Sequence, residues 1–173
     1  MSRLRLAALA LGPALTLAGP PLPAAAEMVY MHDNAVESVT AGWFCRLPPD
    51  AAGEGTAGPV NLYRAPFPFV ATGDRVPSQP GIGIGIVAQL TPFLKDEPVE
   101  ARESHGGKES RWKMRVRPDG LVWLGYLHDD ASDFPPGLWT FSLWRGPDEV
   151  FRYEITVLPR QDGSGEDCGT PVG

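Results

Sequence analysis

The chain has 173 residues, 15 Lys and Arg against 21 Asp and Glu, and a net charge of −6 at neutral pH. That balance disfavours nucleic acid and anionic membrane as overall partners. Beyond the N-terminus, no stretch approaches the roughly 20 apolar residues of a spanning helix, so no membrane insertion is expected.

Residues 1–26 read as an export signal. Arg3 and Arg5 form a short basic start, Leu6 to Leu17 is an apolar run, and Ala24-Ala25-Ala26 is a small-residue exit ahead of Glu27. Pro13, Pro20, Pro21 and Pro23 interrupt the stretch, which is too short to span a bilayer. Pro20 stands where a lipoprotein signal needs cysteine, and Leu4 separates the two arginines, so neither lipid anchoring nor twin-arginine export is indicated. The general secretory route, with cleavage near Ala26 and a periplasmic or secreted product, is the expectation. Without these residues, which hold two of the basic side chains and none of the acids, the net charge falls from −6 to −8. The expected organisation is a signal peptide at 1–26, one domain at 27–159 and a C-terminal tail at 160–173.

Taken along the chain, the first strand signal is Val39, Ala41, Trp43 and Cys45 on one parity. In an oxidising compartment Cys45 and Cys168, the only two cysteines, favour one disulfide tying the tail to the start of the domain. Pro48 to Pro59, with Gly53, Gly55 and Gly58, reads as a loop. Phe67 to Thr72 is an edge-strand candidate because of Pro66 and Pro68. From Ile82 to Leu90, Ile82, Ile84, Ile86, Ala88 and Leu90 line one side while Gly81, Gly83 and Gly85 leave the other nearly bare. Trp112 or Trp123 of a neighbouring strand would cover those glycines. Val99 to Glu103 is a short strand with Val99 and Ala101 inward. Ser110 to Arg117 alternates strictly, Pro118-Asp119-Gly120 turns, and Leu121 to Leu127 is apolar on both faces as in a central strand. These two are expected to form a hairpin. A second hairpin joins Trp139, Phe141 and Leu143 to Phe151, Tyr153, Ile155 and Val157 through the turn at Gly146-Pro147-Asp148. No amphipathic helix competes. The fold class is all-β, an antiparallel immunoglobulin-like β-sandwich of seven or eight strands.

Candidate chemistry is sparse. Gly83-Ile84-Gly85-Ile86-Val87-Ala88, with Glu103 downstream, fits a variant dinucleotide fingerprint, but Pro77 and Pro80 before it and Thr91-Pro92 after it deny the strand and helix that fingerprint needs. Ser110-Arg111-Trp112-Lys113 matches a penicillin-recognition motif that must open a helix, and here it sits on a strand pattern. No cofactor is implied. His32, His105 and His128 share no short spacing with one another or with cysteine, so each reads as a surface or loop residue rather than a zinc ligand. His128, Asp129, Asp130 and Asp133 make an acidic loop open to three readings: a solvated turn, a calcium site, or the acids of a periplasmic hydrolase.

One physical feature stands out as a possible binding surface. Alternation places Arg111, Lys113, Arg115 and Arg117 on the outer face of one strand, suited to a sulfated or phosphorylated envelope component. The competing account is a charged edge that blocks aggregation, paired with acids such as Glu154. Trp144, Phe44 and Leu138 lie on the polar parity of their strands and would mark a partner surface if they cluster.

Taken in order, Val39 to Phe44, Phe69-Val70 with Thr72, Val76-Pro77, Gly83 to Ile86, Ser104-His105, Gly125-Tyr126 and Pro136-Gly137-Leu138-Trp139-Thr140-Phe141 followed by Phe151 to Val157 resemble a bacterial domain of unknown function, family 3859. The resemblance covers roughly residues 36 to 159, and Gly106 follows His105 where the family often has His-Pro. It implies a compact exported β domain with no assigned activity, catalytic residue or cofactor. The expectation is therefore a non-catalytic binding or accessory module of the bacterial envelope. Its partner would be an envelope protein or glycan, and it would act as a monomer.

Overall fold

The computed structural model describes residues 28–31, 34–47, 49–56, 58–127, 135–160 and 168. The export signal at 1–26, His32, the acidic loop at 128–134 and all of the tail except Arg160 and Cys168 lie outside them.

Twelve extended segments follow one another: β1 (Met28–Met31), β2 (Val36–Cys45), β3 (Ala51–Gly55), β4 (Gly58–Leu62), β5 (Ala71–Thr72), β6 (Arg75–Pro77), β7 (Ile82–Leu90), β8 (Pro98–His105), β9 (Lys108–Arg115), β10 (Leu121–Leu127), β11 (Gly137–Arg145) and β12 (Asp148–Leu158). Among the described residues a single 3-10 turn, Pro92–Leu94, bridges β7 and β8. The larger sheet runs β1-β12-β11-β8-β9, with β6 parallel to the second half of β12, and the smaller runs β10-β7-β2-β5. Seven strands carry the sandwich, β2, β7 and β10 on one side and β9, β8, β11 and β12 on the other. Along these seven strands the chain crosses between the sheets after β7, after β9 and after β10. That Greek-key order is the immunoglobulin-like arrangement. All seven strands coincide with the main periodic runs in the sequence.

Period-two alternation builds the core. Ile82, Ile84, Ile86, Ala88 and Leu90 of β7 are fully buried and meet Trp139, Phe141 and Leu143 of β11 and Phe151, Ile155 and Val157 of β12 in one cluster. Each large side chain taken out of water this way contributes about 1.5–3 kcal/mol before the entropy of ordering the chain is subtracted.

Pairing departs from the sequence expectation at β9 and β10, which do not form a hairpin. β9 pairs with β8, and β10 crosses to the other sheet to pair with β7. The hairpin turn is instead Gly106-Gly107, both at positive φ, the geometry that a two-residue turn between twisted antiparallel strands demands. β10, apolar on both faces, is an edge strand rather than a central one. Its second face is covered by a connecting segment, so two apolar faces do not require two neighbouring strands.

That cover also corrects the expected shielding of the glycines. Gly42, Gly85 and Gly125 lie side by side on β2, β7 and β10, with Gly83 next to them, forming a trough on the outer side of the smaller sheet. Phenylalanines fill it, not Trp112 or Trp123. A Cβ on Gly83 would overlap the Phe44 ring, and one on Gly125 would stand 2.6 Å from Phe67 Cε2. Phe44, assigned by parity to a polar face, is therefore fully buried in a second aromatic layer with Phe67 and Phe69. Gly81 lies outside the trough, at a turn with nothing near it. Of Phe67 to Thr72, only Ala71–Thr72 is strand, since Phe67 is committed to the trough. The stretch read as a loop from Pro48 to Pro59 holds most of the β3–β4 hairpin. The disulfide joins Cys45 to Cys168 across 123 residues, at the sandwich end where β2 terminates.

Candidate binding face

The outward side chains of the larger sheet form cross-strand rows. Register places Arg111 of β9 beside Arg102 of β8, then Ser142 of β11, then Arg152 of β12. The adjoining row runs Lys113, Glu100, Trp144, Glu149. Trp144 thus stands between two arginine–glutamate pairs. Arg102 Nε donates to Glu100 Oε1 at 2.7 Å, and Arg152 grips Glu149 through Nε at 2.9 Å and Nη2 at 3.1 Å. The Arg102 guanidinium lies 4.0 Å over the indole, whose Nε1 donates to Ser142 Oγ at 3.0 Å. An indole on the solvent side of a sheet, with a guanidinium flat against it, combines apolar area with fixed donors at low conformational cost.

The basic row read from the sequence borders this platform. Arg111, Lys113 and Arg115 are exposed on β9, while Arg117 lies beyond its end. Two of the four are neutralised locally: Arg111 pairs with Glu109, and Arg117 with Asp119 at 3.1 Å. Arg115 donates to the carbonyl of Asp96. Among the described residues no carboxylate pairs with Lys113 or Arg115. Glu154, the acid expected opposite them, sits across from Thr140 three strands away from β9. Nor do Trp144, Phe44 and Leu138 cluster, because Phe44 belongs to the other sheet and Leu138 lies at the far end of β11. Arg102 and Arg152 were not singled out in the sequence. They join the platform only through strand register, which a single strand's alternation does not reveal.

A second cluster occupies the inner side of the same sheet, at the end where β8 turns into β9. His105 is no loop residue: it closes β8 and stacks on Trp139, 4.0 Å between ring centroids and 11° from parallel. Tyr126 approaches Trp139 at 4.8 Å, and the indole Nε1 donates to Pro135 O. Burial and the positive charge of Lys108 lower the pKa of His105. Two residues earlier on the same face, Glu103 is only 9% exposed, between Phe141 and Ser110 in the register. Among the described residues nothing hydrogen-bonds or ion-pairs with its carboxyl, and burial raises its pKa from 4.5 to about 7. The fingerprint that makes Glu103 a ribose-binding acid has no support here, since Gly83 to Ala88 is strand interior.

The acidic loop of His128, Asp129, Asp130 and Asp133 falls outside the described residues. Among those described, no group of three or more His, Cys, Asp or Glu is placed to hold a metal ion, and no helix is long and apolar enough to cross a membrane.

The sequence matches no protein-family model and no curated protein. Among solved structures it is similar to an immunoglobulin-like protein from Pseudomonas aeruginosa, at 14% identity and a TM-score of 0.46, covering 72% of this chain and 95% of that one. A likeness of that degree carries neither function nor site to this chain.

Proposed function

We propose that this chain is an exported, non-catalytic binding module of the bacterial envelope, and that it takes an anionic envelope glycan or polymer on the outer face of β8, β9, β11 and β12. The observation that carries the reading is Trp144, held on the solvent side between Arg102 and Arg152, with the cations of β9 along its border. Tryptophan and arginine together are the composition that dominates recognition surfaces. The disulfide and the secretory reading of residues 1–26 support an oxidising compartment, and membership of family 3859 would agree with both.

Co-sedimentation of the purified protein with lipopolysaccharide or isolated cell-wall fragments tests this. Binding is expected to weaken with salt, and Arg102→Ala and Trp144→Ala are each expected to reduce it by roughly tenfold. Equal binding by the folded variants, or turnover of any envelope substrate that a point substitution abolishes, would overturn it.

A further inference from the structure

We propose that the ligand of the outer face is a glycan whose anionic sugars alternate with uncharged ones, lying across the strands with an uncharged sugar on Trp144 and an anionic group at each of Arg102 and Arg152. The inference rests on the reading of that face given above and adds the charge pattern of the ligand.

Register sets the lane. Arg111, Arg102, Ser142 and Arg152 stand side by side on β9, β8, β11 and β12. The next row, Glu109, Ser104, Thr140 and Glu154, has an acid at either end. A polymer running along β12 instead would meet Glu149 and Glu154 on the two sides of Arg152. An anionic chain is therefore steered across the strands rather than along them.

The middle of the lane is uncharged. The outward residues of β11 are Leu138, Thr140, Ser142 and Trp144. Trp144 Nε1 donates to Ser142 Oγ at 3.0 Å, so the indole leans into the lane with its one donor engaged, and Ser142 itself is buried. An anion over this strand would give up hydration and gain no partner. The apolar face of a pyranose ring would instead gain contact with the half-buried indole.

Donors lie on both sides of it. Glu100 engages Nε of Arg102, and Glu149 engages Nε and Nη2 of Arg152. A guanidinium has more N–H groups than these bonds use, so each acid fixes its arginine and leaves terminal donors for a carboxylate or sulfate. Only β11 separates β8 from β12, which puts the two arginine-bearing strands roughly 9.5 Å apart. That spacing matches the advance of a disaccharide in an extended glycan. A charge on every sugar would set alternate charges over Trp144.

Calorimetry with matched hexasaccharides tests the proposal: hyaluronan fragments, in which glucuronate alternates with N-acetylglucosamine, oligogalacturonate with a carboxylate on every sugar, and uncharged cellohexaose. The hyaluronan fragment is expected to bind at least roughly tenfold more tightly than either of the others, and Arg102→Ala and Arg152→Ala each to weaken it by roughly tenfold. Trp144→Arg, which puts a cation on the uncharged strand, is expected to raise oligogalacturonate to the affinity of hyaluronan. If that variant does not fold, the ranking by the wild-type chain decides. Equal or tighter binding of oligogalacturonate to the wild-type chain, hyaluronan binding unaffected by both arginine substitutions, or no binding of any hexasaccharide would each overturn the alternation. The outer-face reading survives those outcomes if binding to lipopolysaccharide or cell-wall fragments still depends on Arg102, and falls with the alternation if it does not.

Discussion

Phe44 and Phe67 lie ring on ring, 4.2 Å between centroids and 2° from parallel, above a trough of four glycines. The smaller sheet therefore has two apolar layers, one facing the core and one facing its own connecting segment. The second layer is as sensitive to added volume as any core.

Gly85→Ala tests this directly. Its Cβ would stand 2.6 Å from the backbone oxygen of Leu124 and 2.9 Å from Phe67, and backbone has little room to retreat. Urea denaturation is expected to show a loss of about 1–3 kcal/mol. Gly83→Ala, whose Cβ would overlap the fully buried Phe44 ring stacked on Phe67, is expected to cost a similar amount.

Glu103 ties stability to pH. Its folded pKa of about 7 lies above the ordinary 4.5, so the folded state holds its proton more tightly than the unfolded chain. The protonated-state advantage is complete below pH 4.5 and is lost as pH rises through 7, an effect of up to about 3 kcal/mol. Denaturation midpoints are expected to be lower at pH 8 than at pH 5 by that contribution, and Glu103→Gln should remove it. A variant with an unchanged pH profile would show that the carboxyl is not desolvated.

His105 acts in the opposite sense. Its lowered pKa makes its contribution complete above the ordinary histidine value of 6.5 and lost as pH falls through the folded one. Because the imidazole stacks on Trp139, its protonation is expected to quench indole fluorescence with a midpoint below 6.5. His105→Phe, which keeps the stack and cannot titrate, should abolish that transition.

The Cys45–Cys168 bond closes a loop of 123 residues. Constraint of the unfolded chain by a loop of that length is worth at most about 5 kcal/mol. Reduction, or the double substitution Cys45→Ser with Cys168→Ser, is expected to lower the denaturation midpoint without changing the strand content seen by circular dichroism. A reduced protein as stable as the oxidised one would exclude the bond.

How much of this was legible depends on how local each feature is. The strand at Ile82–Leu90 could be read to the residue because alternation is carried by the chain itself, and Cys45 could be placed at a strand end for the same reason. The binding face was only half visible. Alternation set Arg111, Lys113 and Arg115 on one side of a strand, but Arg102, Trp144 and Arg152 meet them through register across three partner strands. Glu103 shares the inward parity of Val99 and Ala101, so the sequence did hold the signal of a buried acid there.

By itself, then, the sequence determined where the seven core strands lie and which side of each is apolar, because a two-residue period and its turn residues act over a few positions. The tertiary structure alone decided that β9 and β10 part company into different sheets and that phenylalanines rather than tryptophans close the glycine trough. Those outcomes are settled by contacts between residues far apart in the chain. An alternating strand fits equally well beside several neighbours until the whole sandwich is packed.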